Sequence, residues 1–113
     1  MIEVTKDYML EMLSKSKNYT IVILKKTKKI DEPGNDKIKY EHGKRNFQLR
    51  EDGIMSIVCR INDESDINGI AIFKGKPDEV KKIMDGDPGV KAGIFTYEIH
   101  LCSSFPGDKL PWI

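Results

Sequence analysis

Few side chains in this sequence can move a proton at neutral pH. The chain has two histidines, His42 and His100, and two cysteines, Cys59 and Cys102. Imidazole titrates with an unperturbed pKa of about 6.5, so a histidine held beside a carboxylate can both take and give a proton. General acid–base catalysis by such a group accelerates a reaction by roughly 100- to 10,000-fold. That chemistry serves isomerisation, elimination or hydrolysis of a small organic molecule. His100 lies two residues from Glu98 in an alternating segment, which puts both on one face of a strand. Arg60 can pair with one of them or bind a ligand carboxylate. There is no nucleophile elbow and no glycine loop of the kind that cradles phosphate. The cysteines lie inside apolar strand patterns and read as small buried spacers. Without a CxxC or a paired His–Cys spacing, no metal site and no cofactor are expected.

Such groups need a scaffold, and composition bounds it. A chain of 113 residues suits a single domain, 1–113, able to bury roughly two thirds of its unfolded surface. Its net charge of +1 gives no global field for nucleic acid or an acidic membrane. Lys25, Lys26, Lys28 and Lys29 cluster, and read as the solvated end of a strand. The N-terminus carries acids and lacks a basic start before an apolar core, so no secretory signal is expected. No apolar run approaches the roughly 20 residues that span a bilayer. The cytosol, with no membrane or nucleic-acid partner, is the default address.

Taken in order, apolar residues at helical spacing predict an extra amphipathic helix over 5–15, capped by Thr5, within an N-terminal extension 1–18. It is expected to pack on the domain or its partner. Residues 19–26 are rich in β-branched types, and their unbroken apolar run predicts a central first strand. The turn residues Pro33, Gly34, Asn35 and Asp36 predict a mobile surface loop over 27–36. A weakly patterned helix follows over 36–51, starting properly near Glu41 or His42 and ended by Gly53. Strands over 54–61 and 69–74 flank a polar connection. Pro77 and the acids after it open a second helix, which Gly86 stops. A fourth strand covers 93–102, and 103–113 form a tail in which Trp112 is expected to act as an anchor.

The order β-α-β-β-α-β is the ferredoxin-like split βαβ arrangement, an α+β fold with a four-stranded antiparallel sheet and both helices on one face. In the last strand Phe95, Tyr97, Ile99 and Leu101 should meet the helices. Ile94, Thr96, Glu98, His100 and Cys102 should look to the open side. A second copy covering that side would give a homodimer of α/β-barrel type, with a cleft between two sheets lined by Arg60, Glu98 and His100.

Over residues 19–111 the chain resembles the YCII-related family, small ferredoxin-like proteins that pair into dimers. The resemblance is carried by His42, then Leu49, Gly53 and Met55, then Asp66 and Gly69. The closing signature is Asp87-Pro88, Ala92-Gly93 and Tyr97-Glu98. In that family a His/Asp pair is the proposed catalytic centre. The resemblance therefore implicates His42, with Asp87 as the leading acid and Asp66 as the alternative. The chain departs from the family at Cys59-Arg60, at Leu101 after His100, in its extra helix and in its 27–36 loop. It implies a small enzyme acting on a small organic molecule. The competing expectation is a non-catalytic dimeric module that binds a small ligand or a protein.

Overall fold

The computed structural model describes residues 2–113. Its elements are α1 (Lys6–Ser14), β1 (Lys17–Lys26), a 3-10 turn (Lys28–Asp31), α2 (Asp36–Glu51), β2 (Met55–Arg60), β3 (Ile67–Phe73), α3 (Pro77–Asp85), α4 (Pro88–Lys91) and β4 (Phe95–Ser104). The strands form one sheet in the order β2-β3-β1-β4, and every neighbouring pair is antiparallel. The architecture is α+β and consistent with the ferredoxin-like arrangement. β1 is central, as its unbroken apolar run requires. Among the described residues no helix is long and apolar enough to cross a membrane.

Register sorts the side chains into two faces. On one, Val22 stands between Ala71 and Ile99, and Leu24 stands between Gly69 and Tyr97. These rows continue on β2 to Val58 and Arg60. This face meets the helices, where Val80 and Met84 of α3 join Val22, Leu24, Ala71 and Phe73 in the core. On the other face Ile21 stands between Ile72 and His100, and Ile23 between Ile70 and Glu98. Ile57 and Cys59 extend those rows on β2.

Several expectations are corrected. α2 starts at Asp36, a turn earlier than its apolar residues suggest. β4 is shifted by two residues, and Ile94 lies in the bend before it. A bend is not bound by strand alternation, so Ile94 turns inward and is 1% exposed instead of facing the open side. The 27–36 segment is tied down. Thr27 Oγ1 donates to the Gly93 carbonyl at 2.6 Å, and Asn35 Nδ2 donates to the Lys29 carbonyl at 2.6 Å. Thr5 does cap α1, accepting the Tyr8 amide at 3.1 Å, but α1 buries none of its residues and so does not pack on the domain. Trp112 is fully exposed and anchors nothing within the chain. Cys59 is exposed and Cys102 half-buried. Cys59 lies on the face that the helices leave uncovered, on an edge strand.

Candidate active site

Six residues of α2 face one way: Lys39, His42, Gly43, Asn46, Phe47 and Arg50. Their spacing is that of a single helix face. A helix that packs on a sheet presents an apolar stripe there. This stripe is mostly polar, and it walls a cleft of about 850 Å³. The opposite wall is the helix-side face of the sheet, with Val22, Leu24, Ala71 and Phe73. The poor apolar pattern of α2 thus has a structural cause: one flank of the helix lines a hollow, while Ile38 and Leu49 anchor it on the core.

His42 is buried on this stripe, and its Nδ1 lies 2.7 Å from Oδ1 of Asp87, which is 1% exposed. An ionised carboxylate only accepts, so Nδ1 carries the hydrogen and donates it. That assigns the lone pair to Nε2. The Nε2 atom lies 3.3 Å from Nδ2 of Asn46, which donates to it. The Phe95 ring lies against the imidazole, with centroids 4.7 Å apart and planes tilted by 47°. Asp87 is held in turn by its second oxygen. Oδ2 accepts the amides of Gly89 at 2.9 Å and Val90 at 3.2 Å, which makes Asp87 the N-cap of α4. Arg45 brings Nη1 to 3.9 Å from Oδ1.

Burial alone pushes the Asp87 carboxyl up. The hydrogen bond and charge of His42, with the amides of Val90 and Gly89, outweigh it and hold the group below the ordinary carboxylate value. A folded-state value below the unfolded one means that the unfolded chain binds the proton more readily. The stabilisation is therefore full above pH 3.8, the ordinary value, and is lost as pH falls through the folded value. Urea unfolding of wild type and of Asp87→Asn, followed from pH 5 downward, should show the gap between them closing below about pH 4. A gap that is constant across that range would count against the ion pair.

The structure brings His42 and Asp87 together and leaves Asp66 apart. Asp66 is exposed ahead of β3, where its carbonyl accepts the Lys26 amide at 2.7 Å, and no hydrogen bond or ion pair joins its carboxylate to His42. Arg60 lines the same cleft as His42. Glu98 and His100 do not. They stand across the sheet on the open face, where Glu98 accepts from Lys25 Nζ at 2.8 Å and lies 3.4 Å from His100 Nε2. The expected grouping of Arg60 with Glu98 and His100 is thus corrected, because Arg60 pairs with Gly69 in a helix-side row. Asn46 and Arg45 were not singled out from the sequence. Their signal was their position four and three residues after His42, on the same side of a helix. Among the described residues, no three His, Cys, Asp or Glu side chains gather at metal-binding spacing.

No family model matches this chain, and no curated protein matches it. Among solved structures it is similar to 5-chloro-2-hydroxyhydroquinone dehydrochlorinase from Burkholderia phenoliruptrix, in complex with 2,5-dihydroxybenzoquinone, at 18% identity and a TM-score of 0.46, over 72% of this chain and 90% of that one.

Proposed function

We propose that the chain is a YCII-related enzyme in which His42, oriented by Asp87, transfers a proton to and from a small organic molecule in the cleft beneath α2. The observation that carries this is the buried 2.7 Å contact between Nδ1 and Oδ1, which leaves the Nε2 lone pair on the side of Asn46 and the cleft. A merely structural histidine has no need of a hollow beside its second ring nitrogen, whose partner here is the Asn46 amide at 3.3 Å. The reaction class is isomerisation, elimination or hydrolysis, all of which turn on moving one proton at neutral pH. A panel of small carbon acids in D2O, followed by NMR for loss of the carbon-bound proton, tests it. Exchange by wild type should exceed that of His42→Gln by roughly 100- to 10,000-fold. Equal exchange by the two would remove isomerisation and elimination, and equal hydrolysis of a matching ester panel would reduce the site to a binding module.

In this reading the chain works as a homodimer with the open sheet faces stacked. Support comes from the rows on that face, where Ile21, Ile23, Ile57, Ile70 and Ile72 form an apolar field edged by Glu98 and His100. Apolar fields of that kind on a sheet mark association surfaces. Analytical ultracentrifugation at micromolar concentration should give twice the chain mass, and Ile23→Asp should give a folded monomer. A wild-type monomer under those conditions would refute the pairing.

A further inference from the structure

Taking the cleft as the working site, as above, we infer that it selects carboxylate-bearing organic molecules with an apolar body. Among the described residues, four in the lining are cations, Lys26, Lys39, Arg50 and Arg60, and one is a carboxylate, Asp63. That carboxylate is turned into its own loop, where Oδ1 accepts the Ser65 amide at 2.9 Å and the Ser65 hydroxyl at 2.5 Å. Among the described residues, none of the four cations is in an ion pair. The chain as a whole carries only +1, so the excess is local to the cleft.

Topology gathers three of these charges at one end. β1 and β2 each pair antiparallel with β3, so they run parallel to one another and finish at the same edge of the sheet. Lys26 ends β1 and Arg60 ends β2, while Lys39 stands in the first turn of α2. Lys26 and Lys39 are half-buried rather than fully solvated. Asp63 lies close enough to Lys26 to feel its charge, so the lining keeps a surplus of three positive charges, and a cleft lined mostly by one sign focuses its field on an incoming ligand of the other. The guanidinium of Arg60 presents a planar fork that matches a carboxylate with two parallel hydrogen bonds. His42 lies three residues beyond Lys39 on the same stripe, and the floor beneath is Val22, Leu24 and Ala71. A carboxylate held at the basic end thus lays its apolar body along the floor toward Nε2.

The test titrates the full 15N-labelled chain with benzoate, with benzamide as the uncharged counterpart and inorganic phosphate as an anion without an apolar body. Benzoate should bind about tenfold or more tightly than benzamide. It should move the amides of Lys39, His42 and Arg60. The double variant Lys26→Ala with Arg60→Ala should erase that preference while leaving benzamide unaffected. Equal binding of benzoate and benzamide, no binding of benzoate at millimolar concentration, shifts confined to lysines outside the cleft, or phosphate competing as well as benzoate would each overturn it. His42→Gln should retain the benzoate preference. Selective binding without His42-dependent exchange would therefore remove the acid–base assignment and leave the anion selectivity standing.

Discussion

Asp87→Asn should leave the chain folded and cut proton transfer at His42 by roughly 100- to 10,000-fold. The new amide oxygen can still accept the Gly89 and Val90 amides, because asparagine ranks with aspartate as an N-cap. That choice turns its NH2 group toward Nδ1 of His42, which in the wild type carries a hydrogen of its own. Two donors cannot bond, so the ring relocates its proton to Nε2 and accepts at Nδ1 instead. Asn46 follows by presenting its amide oxygen to Nε2, a simple flip of a side chain already 3.3 Å away. All partners stay satisfied, and the fold loses only the charge assistance, about 1 kcal/mol. The lone pair, however, has moved from the cleft to the wall. Imidazole 15N shifts should report the exchanged tautomer directly. Retained exchange on the substrate panel, or an unchanged tautomer, would show that Asp87 does not set the state of His42.

The strands, the helices and their order along the chain are legible in the sequence because they rest on local signals: β-branched runs, turn residues between them and proline before α3. The faces of the sheet are less so. Alternation separates Arg60 from Cys59 but does not say which of them meets the helices. That is decided by where α2 lies, and α2 carries almost no apolar stripe to declare it. Cys59 accordingly reads as a buried spacer, and it stands exposed. In the same way Asp87 and Pro88 read as a turn, whereas the aspartate caps a four-residue helix, too short to show any period. The chemistry at Asp87 is legible only through the family resemblance, since 45 residues separate it from His42. The basic lining is dispersed over Lys26, Lys39, Arg50 and Arg60, and only the fold collects it. α1 and Trp112 satisfy their local patterns without packing on the chain, so their apolar residues carry no information about its core.

Gly89→Ala should destabilise the chain by about 1–3 kcal/mol and displace His42 as well. Gly89 is helical and buried, so its backbone has no need of glycine, and alanine would if anything favour the helix by up to about 1 kcal/mol. Space is what forbids it. An added Cβ would lie 2.3 Å from Cδ2 and 2.7 Å from Cε2 of Phe95, and 3.1 Å from Oδ2 of Asp87. The aromatic ring must move aside, yet Phe95 is only 4% exposed, is packed in the core, and has the imidazole of His42 beside it with centroids 4.7 Å apart. The strain therefore passes through the ring into the His42–Asp87 contact. Thermal or urea unfolding gives the first effect, and the 15N shifts of His42 give the second. Phe95→Leu removes the ring atoms that clash, so in the double variant the penalty of Gly89→Ala should shrink, with a coupling energy of roughly 1–2 kcal/mol for residues in such contact. Strict additivity of the two substitutions, together with unaltered His42 signals, would mean that the glycine, the ring and the histidine do not form one packed column behind the site.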